Sequence, residues 1–259
     1  MRAEPIIQLS GIHNCFGRNV VHEDLSLEVY RGEILGIIGV SGGGKTVLLH
    51  TMALLRRPDR GEVRIFGHDT RVITPAAERR LRLRLGFMFQ NGALFSSLTV
   101  FENVCFPLDE HTRLPEELKR EVVMLKIQLA GLETEAAAKC PRALSGGMVK
   151  RAALARTLAL DPEVLFLDEP TAGLDPVTAG AFDDLVVELK SMLGLTVVMV
   201  THDLDTLWSA TDRVAFLADR RIVAVAPIEE LTKNSHPAIA AYFSGRRVEQ
   251  ARERAWKAK

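Results

Sequence analysis

Gly32-Glu33-Ile34-Leu35-Gly36-Ile37-Ile38-Gly39-Val40-Ser41-Gly42-Gly43-Gly44-Lys45-Thr46 is the stretch that decides the fold. From Ile34 to Ile38 it is apolar except for one glycine, and a strand with no polar face belongs at the centre of a parallel sheet covered by helices. Gly39, Val40, Ser41, Gly42, Gly43, Gly44, Lys45 and Thr46 then give a glycine, four variable residues and Gly-Lys-Thr. Placed between a buried strand and a helix start, that spacing is a phosphate loop. Glycines let successive backbone N–H groups turn toward phosphate oxygens, and the helix N-terminus adds positive potential. Lys45 is suited to bridge the β- and γ-phosphates, and the Thr46 hydroxyl to ligate Mg²⁺. All eight residues are therefore candidates for nucleotide binding. The Asn-Lys-x-Asp signature of a guanine reader is missing, which disfavours a GTPase.

Working outward, residues 6–16 and 25–30 pattern as strands before the loop, and a helix is expected from 45 to about 55. Residues 62–66 read as another strand. From about residue 75 the period becomes mainly helical around a strand at 85–90, with helices expected at 100–106, 115–129 and 133–139. A longer helix at 146–160 has Ser145 as its N-cap. Strand–helix alternation returns over 164–167, 176–192, 196–201, 204–210 and 214–218. The reading is an α/β fold: a parallel-sheet core of P-loop NTPase type, with a helix-rich insert at about 91–160.

Val164, Leu165, Phe166 and Leu167 run into Asp168 and Glu169. A buried strand ending in an acid puts one carboxylate beside the phosphate loop as a metal ligand, and the next is placed to polarise an attacking water. Leu144-Ser145-Gly146-Gly147-Met148 opens the long helix, so Ser145, Gly146 and Gly147 make a second anion-binding helix start. Two such starts and one nucleotide motif in a chain point to two chains sandwiching each nucleotide.

Composition narrows the rest. Lys plus Arg and Asp plus Glu are 33 each, so the formal net charge is zero, which argues against nucleic-acid binding over the whole surface. With 47% hydrophobic and 25% charged residues, a sizeable core can form. No apolar run reaches the ~18–20 residues of a membrane span, and Met1–Pro5 leads into no signal-peptide core. Cys15, Cys105 and Cys140 are expected to be reduced thiols without a metal. Arginines 79, 80, 82 and 84 alternate with leucines, which suits a half-exposed, strand-like segment. The tail, 246–259, holds six basic and two acidic residues and reads as a solvated, frayed helix.

With its motifs in order from about residue 6 to 227, the chain resembles the ATP-binding subunit of an ABC transporter. The resemblance implies ATP and Mg²⁺ as cofactors, and a core that carries an N-terminal antiparallel β subdomain. It assigns Glu169, His202 and Gln90 to catalysis, and Thr46, Gln90 and Asp168 to the metal. Phe16 matches the aromatic that stacks on adenine, with Val21 beside it; packing in the core is the competing reading of Phe16. Asp175, in Ala172-Gly173-Leu174-Asp175, matches a loop that crosses the dimer interface. Met148, where a glutamine is common, and the stretch 89–103 make the chain most similar to the Mla-type, MCE-associated lipid-transport ATPases of Gram-negative envelopes.

For partners the resemblance implies a second copy of the chain, integral membrane permease subunits, a small regulatory subunit and a periplasmic lipid-binding MCE protein, but no nucleic acid. The contact with the permease is expected at 91–103. The implied location is the cytoplasmic face of the inner membrane, the implied organisation one ATPase domain over 1–245 followed by the tail. The rival readings are the ATPase of a small-solute transporter, a soluble ABC-class ATPase, and an ATP-gated scaffold. A coiled-coil insertion, a zinc hook and a second nucleotide domain are all missing from the sequence, which disfavours the soluble class.

Overall fold

The computed structural model describes residues 4–244. The basic tail at 246–259, and with it the expected frayed helix, lies outside the described residues.

Two sheets carry the fold. β1 (Pro5–Phe16) and β2 (Asn19–Tyr30) form an antiparallel pair, joined on the β1 side by β4 (Arg60–Ile65) and the short β5 (His68–Asp69). Between them in sequence run β3 (Ile34–Gly39) and α1 (Lys45–Met52). β3 is buried at all of its positions, as an apolar strand inside a parallel sheet must be. α2 (Pro75–Leu83) and β6 (Leu85–Met88) follow, then α3 (Val100–His111), α4 (Glu116–Leu129) and α5 (Gly146–Thr157). The chain returns through β7 (Val164–Asp168), α6 (Pro176–Leu193), β8 (Thr196–Val200), α7 (Leu204–Ala210), β9 (Arg213–Ala218) and β10 (Arg221–Ala226), and ends in α8 (Ile228–Leu231) and α9 (Pro237–Phe243).

The larger sheet has the order β10-β9-β3-β8-β7-β6, parallel except for β10. This order positions the site. Parallel neighbours emit their C-terminal ends along one edge, where ligands of open α/β sheets bind. The phosphate loop after β3, residues 201–202 after β8, residues 168–169 at the end of β7 and Gln90 after β6 all leave along that edge.

Ile7, Leu9, Leu48, Leu49, Phe166 and Val198 share one core between the sheets. On the opposite face Leu154, Leu165, Phe182 and Val197 share another. Val104, Ile127, Ala152 and Ala155 build a separate core inside the helical stretch. Burying Phe166 or Phe182 completely contributes about 1.5–3 kcal/mol each. Local chemistry sets the helix starts. Thr99 and Glu102 form a reciprocal capping box on α3, and Gly194, in the left-handed region, ends α6.

Three expectations need correction. The Arg–Leu alternation at 79–84 lies mostly in α2 and is not strand-like: Thr74 Oγ1 accepts from Ala77 N at 3.3 Å, Pro75 occupies the first turn, and only Leu81 is buried. Capping chemistry outweighs the two-residue period. The helix expected at 133–139 is a 3-10 turn, Thr134–Ala138. β10, α8 and α9 extend the fold beyond the last strand expected at 214–218. Cys15, Cys105 and Cys140 are free.

Candidate functional site

The phosphate loop is built on left-handed backbone. Gly44 has φ 94° and is the N-cap of α1, with no side chain closing the helix end. A Cβ there would run into Val21 and the buried His22, so only glycine fits. Val21 thus packs beneath the loop, beside Gly44. Lys45 Nζ donates to the carbonyls of Gly39 and Val40, each at 3.0 Å. Burial pulls the Lys45 ammonium below the usual lysine pKa, against the opposing charges of Glu169 and Asp168.

Thr46 and Asp168, 122 residues apart in sequence, meet at the sheet edge, where Thr46 Oγ1 donates to Asp168 Oδ1 at 3.2 Å. Asp168 is the buried last residue of β7, and desolvation raises its pKa, with Thr46, Lys45 and Lys150 among the groups that oppose the rise. Glu169 follows with φ 48°, a left-handed conformation for a non-glycine residue. Its N–H donates to the Val200 carbonyl at 2.9 Å, which ties the turn to β8. Glu169 Oε2 lies 2.6 Å from His202 Nδ1. A carboxylate oxygen accepts, so Nδ1 is the donor in this contact.

Gln90 behaves differently. Its side chain is exposed and no hydrogen bond joins it to Thr46 or Asp168; its carbonyl accepts from Lys150 Nζ. Phe16 is 51% exposed, which removes the core-packing reading. Arg56 covers one face of its ring, 4.1 Å from the centroid, and donates to the Cys15 carbonyl at 2.9 Å. Ser145 caps α5, with Oγ accepting from Met148 N at 3.3 Å. Leu174 is the nearest neighbour on the open side of Gly146, and Thr178 that of Gly147. Asp175 caps α6 through Val177 N and Thr178 N, each at 3.1 Å, and its bond with the Thr178 hydroxyl leads the interactions that lower its pKa.

Sequence reasoning missed several supports. Asn103 is buried and brackets the loop after Gln90: Oδ1 accepts from Phe95 N at 2.8 Å, and Nδ2 donates to the carbonyls of Phe95, Leu98 and Thr99. Phe95 and Phe106, both about two-fifths exposed, pack together there with centroids 4.8 Å apart. Beneath Gly44, buried His22 Nδ1 pairs with Asn14 Nδ2 at 3.0 Å, and Asn14 also donates to Thr51 Oγ1 at 3.1 Å. Arg56 and Lys150 carried no motif signal, because their partners lie tens of residues away.

The ABC transporter family model matches residues 22–172. The intermembrane phospholipid transport system ATP-binding protein MlaF of Escherichia coli K12 is 41% identical over 229 residues, 88% of this chain and 85% of that protein. Its Haemophilus influenzae counterpart is 39% identical over the same length, 86% of that protein. The probable ribonucleotide transport ATP-binding protein mkl of Mycobacterium leprae is 36% identical over 242 residues, 93% of this chain and 70% of that one. Among solved structures, the ATP-binding cassette MJ0796, a dimer in a post-hydrolysis state bound to ADP and Pi, superposes with TM-score 0.78 at 30% identity, covering 86% of this chain and 98% of that one. The cbiO1 subunit of Clostridium perfringens, from the cbiONQ transporter complex, gives 0.81 at 26% identity over 97% and 99%.

Proposed function

The chain belongs to the ABC transporter family, and from that premise we propose that it is the ATP-hydrolysing motor of a transporter that moves phospholipid. One observation carries the chemistry: the Glu169–His202 contact stands on the same sheet edge as the Thr46–Asp168 pair and the phosphate loop. Glu169 takes a proton from the attacking water through its carboxylate. The water oxygen bonds to the γ-phosphorus while the bond to the bridging oxygen breaks, and ADP keeps that electron pair. His202 orients the carboxylate through Nδ1. Lys45 and the loop amides balance charge on the phosphates, and Phe16, backed by Arg56, stacks on adenine.

The donor set fits Mg²⁺. Thr46 and Asp168 offer hard oxygens 3.2 Å apart, and among the described residues no cluster of three His, Cys, Asp or Glu side chains forms an all-protein cage. Thr46, Asp168 and, through its side chain, Gln90 would hold Mg²⁺, a cation that binds by few protein ligands. When bound it neutralises charge on the β- and γ-phosphates.

Two copies close around two nucleotides, each lending Ser145, Gly146 and Gly147 to its partner's phosphates, with Asp175 at the crossing. The dimeric ABC cassette relative supports this arrangement. The helical stretch at about 91–160 moves as a subdomain on the core, supported by its own hydrophobic cluster. Membrane-spanning partners dock at Phe95 and Phe106, and the chain sits on the cytoplasmic face of the inner membrane; no helix among the described residues is long and apolar enough to cross one. Phospholipid as cargo rests on the MlaF relatives. Ribonucleotide, in the name of the mkl relative, is the alternative cargo class.

Glu169→Gln should cut hydrolysis by about 10²–10⁴-fold while ATP still binds; unchanged turnover removes Glu169 from the mechanism. Mass spectrometry of the complex purified with its membrane subunits should find phospholipid. Bound ribonucleotide cargo without lipid would overturn the cargo assignment.

A further inference from the structure

α5, capped by Ser145, carries two cations that grip backbone outside the helix. Lys150, only 6% exposed, donates from Nζ to the Gln90 carbonyl and, at 3.3 Å, to the Glu169 carbonyl. Nearly two turns on, Arg156 donates to the carbonyls of Gly92 at 2.8 Å and Ala93 at 2.7 Å. Gly92, Ala93 and Glu169 all have positive φ, at 73°, 49° and 48°. Non-glycine backbone in that region persists only where its surroundings hold it. Here the two cations hold the carbonyl side, together with the bond from Ala172 N to Glu169 O at 3.2 Å, while Glu169 N donates to Val200 O and Gly92 N to Phe89 O.

A buried ammonium is costly to keep dehydrated, and desolvation depresses the Lys150 pKa while Glu169 and Asp168 oppose the fall. Lysine suits the position because one compact head with three donors can serve two carbonyls from different strand ends. A leucine or methionine of similar volume would pack there but would leave both carbonyls without that donor.

We propose that Lys150 is a positioning residue for hydrolysis: it fixes the backbone of Glu169 against that of Gln90, so that the helix headed by Ser145 and the loop carrying Gln90 set the catalytic carboxylate together. Resting on the ATPase reading above, this adds a path within one chain by which movement of the helical stretch reaches the attacking water. Arg156 holds the far end of the loop, and of the two cations Lys150 is the one that bonds to both the loop and the carboxylate residue.

The test uses the full chain with Lys150→Met, Lys150→Gln and Lys150→Arg. Lys150→Met should lower kcat by about tenfold to a hundredfold, the scale of a displacement of about 1 Å in a catalytic group, with KM for ATP and equilibrium ATP affinity within about twofold. Lys150→Arg should restore most of kcat. Lys150→Gln, which keeps donors without charge, should fall between them and carries the test if the methionine variant does not fold. Hydrogen exchange should rise at residues 90–95 and 169–172 and stay unchanged along α1. Unchanged kcat, a parallel loss of ATP affinity, or exchange raised across the whole chain would each overturn the proposal. Absence of ATP hydrolysis in the wild-type chain would instead sink the ATPase reading on which it rests, and normal turnover in Glu169→Gln would remove Glu169 from the mechanism, so the failures are distinct.

Discussion

α1 and α5 both start beside residues assigned to phosphate, yet the two ends are finished differently. α1 starts at left-handed Gly44 with no side-chain cap, over buried His22. α5 starts at Ser145, whose hydroxyl already accepts from Met148 N. Each end carries the positive potential of unpaired N–H groups. An uncapped end in the middle of a chain's own loop is completed by a ligand, and its affinity depends on the loop holding shape. A serine-capped end already has one of its first-turn N–H groups satisfied by the chain itself. Ser145 and Gly146 are exposed, as residues offered to another molecule should be. The difference separates what one chain does by itself from what needs two.

The support beneath α1 gives the largest expected effect. Burial holds the His22 imidazole pKa down at about 4, from an ordinary 6.5. The folded state therefore refuses a proton that the unfolded chain accepts. Stability from this group is unchanged above pH 6.5 and is lost progressively as pH falls toward 4, by about 3 kcal/mol in all. Chemical denaturation of the wild type and His22→Gln across that window should show the gap between them changing by this amount. A constant gap would mean that His22 does not titrate beneath the loop. Next in size is Lys45→Ala, which removes a charged donor to phosphate worth about 1.5–3 kcal/mol, so ATP affinity measured by calorimetry should fall about tenfold to a hundredfold. Affinity unchanged in that variant would end the contrast between the two helix starts.

Legibility in the sequence followed the reach of each interaction. The buried strand, the glycine loop and the acids after four apolar residues are contiguous patterns, and the fold places Thr46 against Asp168 and Glu169 against His202 at one edge. α2 went astray because Arg–Leu alternation imitates a strand while Thr74 and Pro75 carry the stronger, local signal. Residues 221–226 escaped although their sequence is as apolar as that of β8; β10 is an antiparallel edge strand, only partly buried, outside the strand–helix alternation. Arg56, Asn103 and Lys150 could not be read at all. Apart from the cover Arg56 gives the Phe16 ring and its pairing with Asp59, their roles consist of bonds to backbone carbonyls and amides, which leave no pattern in the side chains of the partner.

The smallest expected effect tests the α5 end. Ser145→Ala removes a helix cap worth about 1 kcal/mol, so the unfolding free energy should fall by about that much. ATP affinity of the dilute, single chain should stay as in the wild type, because the neighbours of the α5 start are Leu174 and Thr178, not the chain's own phosphate loop. Hydrolysis at concentrations where two chains meet should nevertheless decline. Stability loss and phosphate loss can be parted with Ser145→Asp, which caps a helix as well as serine but sets a carboxylate where a partner's triphosphate would lie. That variant should keep wild-type stability and single-chain ATP binding while losing hydrolysis. If Ser145→Asp hydrolyses ATP normally, the second helix start meets no phosphate, and Ser145 does no more than hold the end of α5 in shape.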